Sequence, residues 1–267
     1  MSTVPNPGFR IRVDVTNPGQ FFACCGLLEL ASRLDPDAQA WFEPGVFSVS
    51  RGPTLAALIE HIRGVRLIQA DPEDTTASPI EVTAPFSLRL DWWKSRDRAD
   101  SDLKVWAGTM ESFRIARAMQ NALRADAFVS EDLLNTSMVA YDPDAPDKKV
   151  EPFYFDARRG PNAHSRDVGF APNDLGLTTI ASPAVELLCL IGLQRTRPVR
   201  TDLPRVFDYS IWSNPLPATL AQAAVAGLLP NLSGSRYRFE SWFRTGQRKH
   251  KAFLTAKLIN LKPSDSS

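Results

Sequence analysis

Residues 9–34 read FRIRVDVTNPGQFFACCGLLELASRL, and they decide the fold class. From Phe9 to Val15 every second residue is apolar, so Phe9, Ile11, Val13 and Val15 share one side, as in a half-buried strand. The alternation stops at Asn17-Pro18. Asn17 is a good N-cap, Pro18 suits the first helical position, and Gln20 stands where its side chain can reach back to a free N–H. A helix is therefore expected from about Pro18 to Leu34. Phe21, Phe22, Cys24, Cys25, Leu27, Leu28, Leu30 and Leu34 surround most of its circumference, which marks a helix buried on more than one side, in a core or at a subunit contact.

The same alternation of short strands and helices continues outward. A hairpin is expected to turn at Pro44-Gly45, a short amphipathic helix to end at Gly64, and an acidic loop to occupy 71–79. The strand pattern of 80–93 should be interrupted or lie at an edge, because Pro85 cannot donate to a ladder. Residues 105–128 carry a long helical pattern on which Arg117 and Arg124, seven apart, share a face behind Arg114. Such a stripe more often faces water than phosphate. A strand is expected at EPFYFD (151–156), then a long loop over 156–176, a helix capped by Ser182, a strand at VFDYSIW (206–212) and a helix over 216–229. The fold class expected is α+β, with mixed or antiparallel sheets packed by helices. Two parts are expected, 1–140 and 141–267, either separate or continuous.

Composition sets further bounds. Hydrophobic residues are 43% and charged residues 23% of 267, as in ordinary globular chains, which excludes fibrous and largely disordered classes. The start of the chain has no apolar leader and the longest apolar run, around AVELLCLIGL, is too short to span a bilayer, so a cytoplasmic protein without membrane contact is expected. Cys24, Cys25 and Cys189 lie in apolar stretches and are expected as buried thiols with no disulfide. Net charge is +1, yet it divides unevenly: residues 1–189 balance at −7 and residues 190–267 at +8. That asymmetry is the footprint of a phosphate partner or an acidic protein face, or of two regions facing each other.

The basic end is densest in RYRFESWFRTGQRKHK (236–251), where six Arg or Lys and one His surround four aromatic rings with one acid. Period-two alternation places Tyr237, Phe239 and Phe243 on one face and Arg236, Arg238, Glu240, Trp242 and Arg244 on the other. Arg248, Lys249, His250 and Lys251 follow a turn. Cations so placed can neutralise several phosphates and release their counterions. Arg158, Arg159, His164 and Arg166 lie in the long loop, whose length and mixed composition suit a shaped contact surface.

Catalytic patterns are few. No cluster has metal-ligand spacing, and phosphate-binding, dinucleotide-binding and nucleophile-elbow motifs are absent, so neither metal nor cofactor is expected. His164, beside Ser165 and near Asp167, is the best candidate base for a metal-independent ribonuclease, although a hydrogen-bonding loop histidine is the commoner role.

Four stretches together, VDVTNPGQFFACCGLLELASRL, EPFYFDARRGPNAHSRDVGFAPND, SPAVELLCLIGLQR and RYRFESWFRTGQRKHKAFL, resemble the small Cas-eight-like or RAMP-like effector subunits of type I-G (formerly I-U) CRISPR systems. The resemblance covers about residues 9–256. It implies a fold that is RAMP-like or ferredoxin-like in part, and a non-catalytic subunit of an RNA-guided surveillance complex, Cascade, acting in antiviral defence. Other effector subunits, guide RNA, target DNA and the helicase-nuclease are the partners implied, with Arg236, Arg238, Arg244, Arg248, Lys249 and Lys251 on phosphates. The alternatives are a RAMP-type endonuclease for guide precursors using His164, and a subunit that polymerises along the guide.

Overall fold

The computed structural model describes residues 6–94, 102–106, 110–159, 180–229, 232–244, 248 and 250–259. The opening strand β1 (Pro7–Arg12) leads into helix α1 (Pro18–Leu34) with the expected caps. Asn17 Oδ1 accepts from the N–H groups of Gly19 (3.1 Å) and Gln20 (3.4 Å). Gln20 does reach back, but to the N–H of Asp14 (2.7 Å), since the Asn17 N–H is already taken by the Asp14 carbonyl (3.0 Å). From Pro18 to Ala31 every residue of α1 is buried, so it is a core helix.

Strands β2 (Gln39–Glu43) and β3 (Val46–Ser50) form the hairpin at Pro44-Gly45, and α2 (Leu55–Gly64) follows. β3 pairs antiparallel between β1 and β2, which makes β1–α1–β2–β3 a split βαβ unit of the kind found in ferredoxin-like folds. The fourth strand of this sheet, β11 (Leu216–Pro217), lies beside β2, whereas the ferredoxin order would place it beside β1.

A smaller antiparallel sheet joins β4 (Leu67–Gln69), β5 (Ile80–Val82) and β6 (Leu88–Leu90); the Pro85 segment separates the last two, as an interrupted strand. Helix α3 spans only Ser112–Ala122, shorter than the pattern over 105–128 predicts. Its end is fixed from outside: the Arg63 guanidinium, 12% exposed, donates to the carbonyls of Leu123 (2.6 Å) and Ala125 (2.8 Å) just past the last helical residue. The hairpin of β7 (Tyr141–Asp142) and β8 (Ala145–Lys149) packs beside α3.

Helix α4 (Pro183–Arg195) crosses α1 at backbone contact. A Cβ on Gly192 would sit 2.0 Å from the Phe22 carbonyl oxygen, and one on Gly26 would sit 2.1 Å from that of Leu188. Both glycines are there because no side chain fits. Glu29, buried in α1, ties the crossing further along to Arg33 (2.8 Å) and to Arg195 (2.7 Å).

The residues EPFYFD form no strand. Their N–H groups are taken by a buried carboxylate: Glu186, in the first turn of α4, accepts from Phe155 (3.2 Å) and Asp156 (3.1 Å). Burial, and then the charge of Asp156, push Glu186 up to about 7. Ser182 holds the N-cap position of α4 without bonding its N–H groups, since its hydroxyl meets Ser137 (3.0 Å) and Arg158 (3.2 Å).

The largest sheet comes from the last third. Its order is β13 (Lys251–Phe253), β12 (Ser233–Phe243), β10 (Val206–Trp212) and β9 (Val199–Arg200), with β14 (Lys257–Ile259) also on β12. Helix α5 (Ala218–Val225), again shorter than its sequence pattern, packs against β10. Tyr209 of β10 stacks on Phe21 of α1 with centroids 4.4 Å apart, and Trp212 meets Phe42 edge-on at 4.8 Å. One apolar core thus runs from Phe9 to Ala256 around α1 and α4. The three thiols are buried within it and unbridged. Among the described residues no helix is long and apolar enough to cross a membrane.

Candidate nucleic-acid interface

The alternation expected of 236–243 is present on β12. Phe239 is buried and Tyr237 and Phe243 half-buried, while Arg238, Glu240 and Trp242 are exposed and Arg236 is half-buried. The register opposite β10 sets Arg238 across from Asp208 and Arg236 across from Ser210. Asp208 is 2% exposed and binds both arginines: Arg238 Nε (2.7 Å) and Nη2 (2.9 Å) make a forked pair with it, and Arg236 Nη2 lies 3.1 Å away. Hydrogen bonding to Asp208 raises the Arg238 guanidinium further above its usual value. The exposed face of the strand carries these arginines as expected, but both are partly neutralised by Asp208.

Arg244 departs further. β12 ends at Phe243, and the Arg244 guanidinium folds inward over the Tyr154 ring, 3.5 Å from its centroid, while Nε donates to the Lys251 carbonyl (2.9 Å). Burial pushes its pKa down. Arg158, expected on the long loop's contact surface, is a structural clasp. It grips buried Asp156 with Nε (2.9 Å) and Nη2 (2.8 Å), and also reaches Asn135 and the Leu134 carbonyl. Asp156 in turn accepts from Asn17 Nδ2 (2.7 Å), so the α1 cap, the 155–158 segment and the α4 start form one polar network. Arg159 donates to Ser137 (3.0 Å). Arg117 is ion-paired with Asp144, and Arg124 donates to the Arg63 carbonyl (3.3 Å). His164, Arg166 and Lys249 lie outside the described residues.

What remains basic gathers where β12 ends. Arg205, in the turn before β10, lays its guanidinium 5.3 Å from the centroid of exposed Trp242 and 4.9 Å from that of Phe243. It makes no ion pair among the described residues, and its Nε is buried without a hydrogen-bond acceptor there. Its main chain is fixed by the Ser241 N–H on its carbonyl (2.9 Å), in a left-handed conformation with φ 62°. Lys251 opens β13 directly across from Phe243. Its N–H binds the Val105 carbonyl (3.0 Å) and its Nζ the Asp102 carbonyl (3.3 Å). Arg200 of β9 pairs with the Asp102 carboxylate (2.9 Å), and Lys104 Nζ sits over the Trp106 ring at 5.1 Å. Arg248 is exposed.

Lys251 registers the field. Burial pushes its pKa down to about 8; Asp102 opposes this, whereas Arg205 and Lys104 add to the lowering. Burial also lowers Lys104. Arg205 and Lys104, from two other segments, thus both act on Lys251, and Arg205 lies over an exposed aromatic ring, an arrangement suited to a phosphate flanked by a stacked base. Arg205, Arg200, Lys104 and Asp102 did not stand out as a group in the sequence, although RTRPVRTDLPR (195–205) ran basic. Among the described residues no three His, Cys, Asp or Glu side chains are grouped to hold a metal. Comparison of the chain with protein-family models, with curated proteins and with solved structures gives no match.

Proposed function

We propose that this chain is a non-catalytic, nucleic-acid-binding subunit of an RNA-guided type I effector complex, contacting guide RNA or target DNA through the end of β12. The observation that carries the reading is Arg205 laid over exposed Trp242, one position before the Phe243–Lys251 pair, with Arg200 and Arg248 at the same end of the sheet. The resemblance in residues 9–256 supports the choice of system. In such a complex base pairing reads the sequence, and the protein has only to hold backbones and partners. A basic end on an otherwise acidic chain suits that division: the end meets phosphate, and the remainder meets other subunits and the helicase-nuclease.

The test is a tagged pull-down from cells expressing the whole neighbouring operon, with mass spectrometry and sequencing of bound RNA. A multi-subunit particle carrying uniform repeat-derived RNA is expected. Recovery of the chain alone and free of RNA would refute the subunit reading, and specific cleavage of repeat RNA by the purified chain would refute the non-catalytic one.

A further inference from the structure

A second basic feature, sharing no residue with the end of β12, lies between α2, α3 and β4. A cleft of about 470 Å³ there is lined by Arg63, Arg66, Arg117, Arg124, Gln120 and Phe113, along with the Gly64–Leu67 backbone. No carboxylate lines it.

The four arginines differ in how far their charge is spent. Arg63 is held by the Leu123 and Ala125 carbonyls, with Glu60 at 3.5 Å. Arg117 lies over the Phe113 ring at 5.7 Å and shares its charge with Asp144. Arg66 and Arg124 are exposed, and among the described residues neither makes an ion pair. Gln120 is fixed by the carbonyls of Ile62 (2.8 Å) and Val65 (2.7 Å), so the wall between α2 and α3 is rigid. The exposed guanidinium groups of Arg66 and Arg124, beside the partly spent Arg63 and Arg117, around a cleft whose lining has no carboxylate suit the oxygens of a phosphate group. Convergent like charges raise the free energy of the empty protein, and a dianionic group lowers it again.

We infer that the Arg63–Arg66–Arg117–Arg124 cleft is a phosphate-ester binding site, separate from the end of β12. The phosphate comes either from a polynucleotide backbone or from a free nucleotide. Nothing in this inference depends on membership of an effector complex.

The experiment is calorimetric titration and thermal melting of the full chain at fixed ionic strength, using inorganic pyrophosphate, a nucleoside triphosphate and a short single-stranded oligonucleotide. Arg66→Glu with Arg124→Glu is compared with Arg205→Glu with Arg248→Glu; all four side chains reach solvent at least in part. Pyrophosphate should raise the melting temperature of the native chain, and the cleft variant should weaken its binding at least about tenfold. The β12-end variant should lower pyrophosphate affinity by less than the cleft variant does. Loss of oligonucleotide affinity in the cleft variant identifies the backbone as the source, and loss of triphosphate affinity alone identifies a nucleotide. If all three ligands bind the cleft variant as well as they bind the native chain, the inference is wrong, whatever the β12-end variant does.

Discussion

At the scale of single residues, Lys251 gives the most direct reading of the electrostatics. Its folded pKa, about 8, lies below the ordinary 10.5, so the unfolded chain keeps the proton over a range where the folded chain has lost it. Its contribution to folding stability is therefore least favourable below about 8 and improves as pH rises towards 10.5. Binding has the opposite sign, because only the charged form attracts phosphate. Oligonucleotide affinity should fall between about pH 7 and 9, and Lys251→Arg should flatten that fall. An equally steep fall in the variant would show that Lys251 is not the titrating contact. Arg238 should behave as a structural group. Arg238→Ala leaves Asp208 buried with Arg236 as its one remaining ion pair among the described residues, so denaturant titration should show a loss of about 1–3 kcal/mol. The salt slope of oligonucleotide binding should change less than it does in Arg248→Ala.

At the scale of elements, the α1–α4 crossing sets the fold's stability. Gly192→Ala and Gly26→Ala each force a methyl group against a carbonyl, and each should cost more than about 3 kcal/mol or prevent folding. Gly64→Ala is the control. Its methyl would meet nothing within 4 Å at the end of α2, so it should be neutral or stabilising by up to about 1 kcal/mol. Equal losses at all three positions in denaturant titration would contradict the close-crossing account. Local chemistry was legible here: Asn17, Pro18 and Gln20 announced the start of α1, and alternation announced β1 and β12. Contacts between distant segments were not. Nothing in SFRIARAMQNA says that Arg63 will end α3, and nothing in EPFYFD says that Glu186, thirty residues on, will replace a ladder partner. The two crossing glycines looked like ordinary helix positions for the same reason. Asp208 was visible as a residue but not as the counter-ion of Arg236 and Arg238, because cross-strand register cannot be read from one strand.

At the scale of the molecule, the charge asymmetry resolves into two parts. Some of the C-terminal cations meet acids of the earlier chain, as Arg195 does at Glu29 and Arg200 at Asp102. The bland reading, two regions neutralising each other, therefore accounts for a share of the +8. The positive charge of Arg205, Lys251, Lys104 and Arg248 remains concentrated at one end of the largest sheet, where the proposed nucleic-acid contact lies. The measurement that tests this most directly is the affinity of the purified chain for a single-stranded oligonucleotide across a range of salt, for the native protein and for Arg205→Glu with Arg248→Glu. The account predicts weaker binding and a log–log salt slope shallower by about 1–2 in the variant. Unchanged affinity and slope would contradict a phosphate contact at the end of β12.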